Sequence, residues 1–175
     1  TAVLMGGPDI LTSLASGAID AAEWICPIAD LGLGMHQAAK FYYGPGWHEP
    51  STLLDLSIDL KEWEGLDADT QALMMEMAKA FNVDVFSRFQ ALNGPALGKL
   101  LNEHGVQLKT FPDELLIALG NAAGEVMEER GSINSQTKAI CNHLLTFRKN
   151  IMDWSTKGES EFARIRNLPF KFPDS

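Results

Sequence analysis

Two short segments concentrate the residue types able to hold a small molecule: Glu23-Trp24, and Trp47-His48-Glu49 between Gly46 and Pro50. A carboxylate and a backbone carbonyl are hard oxygen donors, the kind preferred by Ca²⁺ and Na⁺. If residues 18–25 form a strand, alternate side chains face opposite ways, so Glu23 projects into a cleft while Trp24 turns aside and leaves its carbonyl oxygen free. An acidic side chain alone would repel an anionic ligand by several kcal/mol at ~4 Å and an effective dielectric of ~20; a cation seated between them reverses the sign. The residues therefore point to an anion held through a cation. Other readings stay open. Glu23 and Glu49 can be an acid–base pair, or both can be solvated loop residues, and Trp24, Trp47 and Tyr43 suit core or rim packing as well as a ligand wall.

Other chemistries lack their parts. His36, His104 and His143 have no partner four residues on, and Cys26 and Cys141 lie far apart without metal-ligand spacing, so zinc and CxxC redox sites are not expected. The cysteines read as two buried free thiols. No G-x-G-x-x-G, P-loop or G-x-S-x-G signature occurs. Lys plus Arg is 14 against 23 for Asp plus Glu, a net charge of −9 whose field repels phosphate backbones and anionic lipid. Nucleic acid is excluded as a partner on that ground. A chain of 175 residues can bury a sizeable core.

Several elements must position these residues. Pro8-Asp9 opens a short helix that Gly17 stops. A strand over residues 18–25, a helix over 29–39 and an aromatic strand over 40–43 make a β-α-β progression. Leu54, Leu56, Ile58 and Leu60 alternate with Asp55, Ser57 and Asp59, which predicts a third strand. Asp67 caps a long helix over 67–93, which Gly94-Pro95 should kink or break. A short strand near Val106 to Thr110 precedes a helix opened by Pro112. In the last helix Ile133, Ile140, Leu144, Phe147, Ile151 and Trp154 form a seam close to a 3.5-residue period, which wants a helical or concave partner. Residues 155–175 read as a docked tail.

The runs Gly17-Ala18-Ile19-Asp20-Ala21-Ala22-Glu23-Trp24 and Lys40-Phe41-Tyr42-Tyr43-Gly44-Pro45-Gly46-Trp47-His48-Glu49-Pro50 are long and specific. They resemble the periplasmic substrate-binding proteins of TRAP transporters, in the branch that binds 2-oxo acids and related monocarboxylates. The likeness continues more loosely through the long helix, Phe111-Pro112-Asp113-Glu114 and the Phe147-Arg148 helix. Where the family usually has Gly-Gly, an acidic residue and an aliphatic, this chain has Gly6-Gly7-Pro8-Asp9.

The resemblance implies an α/β chain that is the C-terminal half of a two-lobed, periplasmic-binding-protein-like fold. Residues 1–60 would form the cleft and residues 61–175 a helical scaffold with the C-terminal helix. It implies a periplasmic receptor without catalysis that delivers a small carboxylate, a 2-oxo acid, to membrane permease subunits. Glu23 and the Trp24 carbonyl would hold Na⁺ or Ca²⁺, and Trp47 and Glu49 would line the ligand; no organic cofactor is implied. The family's carboxylate-pairing Arg and a cation-site Gln would precede Thr1, so residues 1–175 alone are expected to bind ligand poorly. A homodimer through the C-terminal helix is a further expectation. The rivals are an enzyme using Glu23 and Glu49 and a helical interaction module built on the Ile140–Trp154 seam.

Overall fold

A computed structural model describes residues 1–47, 49 and 55–173. His48, Pro50 and Leu54 lie outside the described residues. The chain divides into two compact units, Thr1–Phe111 and Pro112–Ser175. It is a helix-rich α/β chain with one small parallel sheet among the described residues.

The first unit begins with α1 (Gly7–Ser16), which carries Pro8 in its first turn and ends at Gly17, whose φ of 73° is the left-handed conformation open to glycine. The expected strand over residues 18–25 is absent. The Ala18 and Ile19 amides turn back to the Ser13 carbonyl, at 2.9 and 3.3 Å, and close the end of α1. No described strand lies alongside to pair with residues 20–25, so that segment runs irregularly into α2 (Pro27–Leu33). The predicted helix over 29–39 is broken by Gly34, at φ 80°, which separates α2 from a single 3₁₀ turn over Met35–Gln37.

The aromatic strand forms as β1 (Phe41–Gly44) and pairs in parallel with β2 (Gln107–Thr110), with Phe41 opposite Gln107 and Tyr43 opposite Lys109. These two strands are the whole sheet among the described residues. Residues 55–59 are not a strand despite their alternation. No described neighbour offers them a ladder, and Asp59 instead caps α3 (Leu60–Gly65) by accepting the Lys61 and Glu62 amides.

Asp67 caps the long helix α4 (Ala68–Asn102) as expected, accepting from the Thr70 amide at 2.9 Å. The helix is not broken at Gly94-Pro95. Proline removes one intrahelical bond, but Ala96 and Leu100, at 2% and 3% exposure, anchor the chain just beyond it. Just before it, the Asn93 side chain accepts the Ile28 amide of α2 at 3.2 Å. Helix packing on both sides outweighs the lost bond.

In the second unit, α5 (Asp113–Gly131) starts directly after Pro112 and packs against α6 (Ser135–Ser155). Asn134 and Thr137 form a reciprocal capping box at the start of α6. The predicted seam is present from Ile140 onward, while Ile133 lies ahead of the cap and outside α6; Ile140, Leu144, Phe147 and Trp154 are all more than half exposed. The docked tail is also corrected: a π turn (Thr156–Ser160) leads into α7 (Glu161–Arg166), and Phe170 and Phe172 beyond it are exposed.

The sizeable core expected from chain length is not found among the described residues. Among the described residues the buried apolar side chains are Ile10, Ala96, Leu100 and Val106. The cysteines are free, as expected, but half-buried rather than buried.

Candidate functional site

The two candidate segments lie at opposite ends of the α2–β1 connection, and the structure shows what fixes each. Trp24 precedes α2 and packs on the start of α1: a Cβ placed on Gly7 would sit 2.5 Å from its Cη2. A side chain there would press on the indole, which gives Gly7 a physical role. Glu23 beside it is exposed. The strand alternation expected to point Glu23 inward and Trp24 away does not apply, because the segment is not a strand.

Trp47 and Glu49 come after β1, and both are exposed. Glu49 and Asp55 stand on the wall of an open groove of about 820 Å³ that runs along α4. Met77, Phe81 and Phe89 form its apolar side, and Ile25 closes it from the α2 end. The groove thus brings together Glu49 and the residue two positions beyond Glu23, while Trp24 lies against Gly7.

Between the segments sits Asp30, the one buried polar or charged residue among those described. Its Oδ2 accepts a hydrogen bond from the Tyr42 hydroxyl at 2.5 Å, and its Oδ1 lies 3.5 Å from the Ile25 amide. Burial pushes its pKa up, opposed by the Tyr42 and Ile25 hydrogen bonds. Burial and the neighbouring carboxylate also push the Tyr42 hydroxyl upward, so it stays protonated and remains the donor. Residue types and spacing did not single out this pair; a lone carboxylate in the apolar run Ile28-Ala29-Asp30-Leu31 was its signal.

A second pairing carried no sequence signal. His36, in the 3₁₀ turn, stacks on His104 after α4, with ring centroids 4.0 Å apart. Its Nδ1 is buried without a hydrogen-bond partner among the described residues, and burial, then the His104 charge, lowers its pKa. On β1, Tyr43 stacks on Phe111 at 4.9 Å.

Residues 3–132 match the profile of DctP, the bacterial extracellular solute-binding proteins of family 7. The chain belongs to this family. The family is one of solute-binding receptors. This family 7 chain is 36% identical over 163 residues to a monocarboxylate 2-oxoacid-binding periplasmic protein of Nostoc sp., covering 93% of this chain and 44% of that protein. It superposes with a TM-score of 0.83 and 29% identity on a TRAP periplasmic solute-binding protein from Colwellia psychrerythraea with bound calcium and pyruvate, covering 93% of this chain and 49% of that one. The corresponding protein from Pseudoalteromonas atlantica, with bound sodium and pyruvate, matches at a TM-score of 0.81 and 28% identity, covering 93% and 48%. The chain therefore spans about half the length of the relatives it matches.

Proposed function

We propose that the protein is the periplasmic receptor of a TRAP transporter that binds a small monocarboxylate, a 2-oxo acid such as pyruvate, through a bridging Ca²⁺ or Na⁺. The observation that carries this reading is the pairing of an oxygen-donor segment, Glu23-Trp24, with structural relatives that hold calcium or sodium together with pyruvate. Glu23 contributes its carboxylate and Trp24 its main-chain carbonyl to the cation; Trp47 and Glu49 border the ligand. Both donors are hard oxygens, which fit these cations in type.

Among the described residues no three His, Cys, Asp or Glu side chains converge on one point. In this reading the carboxylate and keto oxygens of the ligand also touch the cation. Residues 1–60 carry the cleft side, and residues 61–175 serve as scaffold. The role is capture and handover to permease subunits, without a chemical step. The exposed α6 seam of Ile140, Leu144, Phe147 and Trp154 supports a homodimer through the C-terminal helix. No described helix is long and apolar enough to cross a membrane.

The test is calorimetric titration of pyruvate into the full-length protein that carries this sequence, with Ca²⁺, with Na⁺ and after chelation. Binding should require a cation, and Glu23→Gln should abolish the cation-dependent part. Binding that is indifferent to both chelation and the substitution would overturn the proposal.

A further inference from the structure

We propose that Asp30 is a positioning residue that ties the Glu23-Trp24 segment to the strand leading into Trp47 and Glu49, holding both sides of the site in one register. The inference rests on the cation-bridged reading for its functional meaning and on geometry for the tie itself.

The geometry is a bridge. Ile25, whose amide faces Asp30 Oδ1, is two residues after Glu23, and Tyr42, whose hydroxyl donates to Oδ2, is five before Trp47. One carboxylate therefore meets the two chain segments that carry all four proposed site residues. Its own helix does not drift. The Asp30 amide donates to the Cys26 carbonyl at 2.9 Å, and the Ile28 amide donates to Asn93 of α4 at 3.2 Å. Through α2, the tie is referenced to the helix that walls the groove.

Energetics separate this from ordinary packing. Burying a carboxylate costs free energy that an apolar pair of similar shape avoids. A Leu and a Phe at positions 30 and 42 would fill the same space, but neither would fix where the Ile25 amide and the β1 strand stand relative to each other. Coordination tolerates errors of only about 0.2 Å, so small slippage between the segments costs affinity. Asparagine keeps the shape but loses the charge, so any hydrogen bonds it makes to the Ile25 amide and the Tyr42 hydroxyl are the weaker neutral kind.

Tyr42→Phe, Asp30→Asn and the double variant are compared with the parent in the full-length protein. Two readouts are used: cation-dependent pyruvate affinity, and amide hydrogen exchange across residues 23–26. Each single variant should weaken affinity about 10- to 100-fold, the scale of a hydrogen bond to a charged group. The double variant should be no worse than the weaker single, because both cut one connection. Exchange at residues 23–26 should rise in all three. Tyr42→Phe removes only a hydroxyl and keeps the ring, so it reads the tie even where Asp30→Asn compromises folding. Unchanged affinity with only a lowered denaturation midpoint would mean a purely structural pair and would overturn the proposal. Should the parent bind no pyruvate, the receptor reading fails, and exchange still decides the tie: faster exchange at residues 23–26 upholds it and unchanged exchange sinks it.

Discussion

Replacing Gly7 by alanine probes the contact that seats Trp24, and its effect can be worked from the structure. The added Cβ would lie 2.5 Å from Cη2 and 3.1 Å from both Cζ2 and Cζ3 of the indole. Carbon atoms settle at about 3.5–4.0 Å, so the ring has to retreat by roughly 1 Å. Overpacking of this kind costs about 1–3 kcal/mol. Alanine recovers about 0.5–1 kcal/mol through its better helix propensity at the start of α1. The net expectation is a destabilisation of about 0–2.5 kcal/mol, accompanied by movement of the backbone carbonyl proposed to face the cation. Urea unfolding measures the first, and the ¹⁵N-resolved indole N–H signal of Trp24 measures the second. Gly17→Ala is the control: it strains a φ of 73° but has no atom of the described residues within 4 Å of the new methyl, so it should leave the Trp24 signal in place. A Gly7→Ala protein with full stability and an unmoved Trp24 resonance refutes the reasoning.

The cap of α4 should report pH. The Thr70 amide and hydroxyl bonds hold the Asp67 carboxyl below its ordinary pKa. Its contribution is therefore present above the unfolded value of about 3.9 and lost as pH falls through the lower folded value. Asp67→Ala should accelerate amide exchange in the first turn of α4 at neutral pH and make little difference near pH 2, and equal acceleration at both would contradict the cap. On α6, Leu144→Glu places a charge in the middle of the exposed seam. Sedimentation should show the parent as a dimer and the variant as a monomer, and a monomeric parent would remove the dimer proposal.

Residue order by itself determined the features of this chain that are decided within a turn or two of backbone. Pro8 and Pro112 start helices, Asp67 caps one and Gly17 ends one, because caps and left-handed stops are satisfied by neighbours a few positions away. The Gly17–Trp24 and Lys40–Pro50 motifs were legible in the sequence as well, as long specific runs of residues, and they point to the family the chain belongs to. Tertiary structure alone decided whether an extended stretch is a strand. Residues 18–25 and 55–59 have strand-like composition, yet a ladder needs a second strand at about 4.7–4.9 Å, and none of the described strands stands beside them. It also decided that α4 runs through Pro95, since the packing of Ala96 and Leu100 lies outside any local rule. Asp30 and Tyr42, 12 positions apart, meet only because α2 and β1 fold together. A hydrogen bond of that range leaves no periodic trace in the chain, which is why the carboxylate that joins the two sides of the candidate site became visible only in three dimensions.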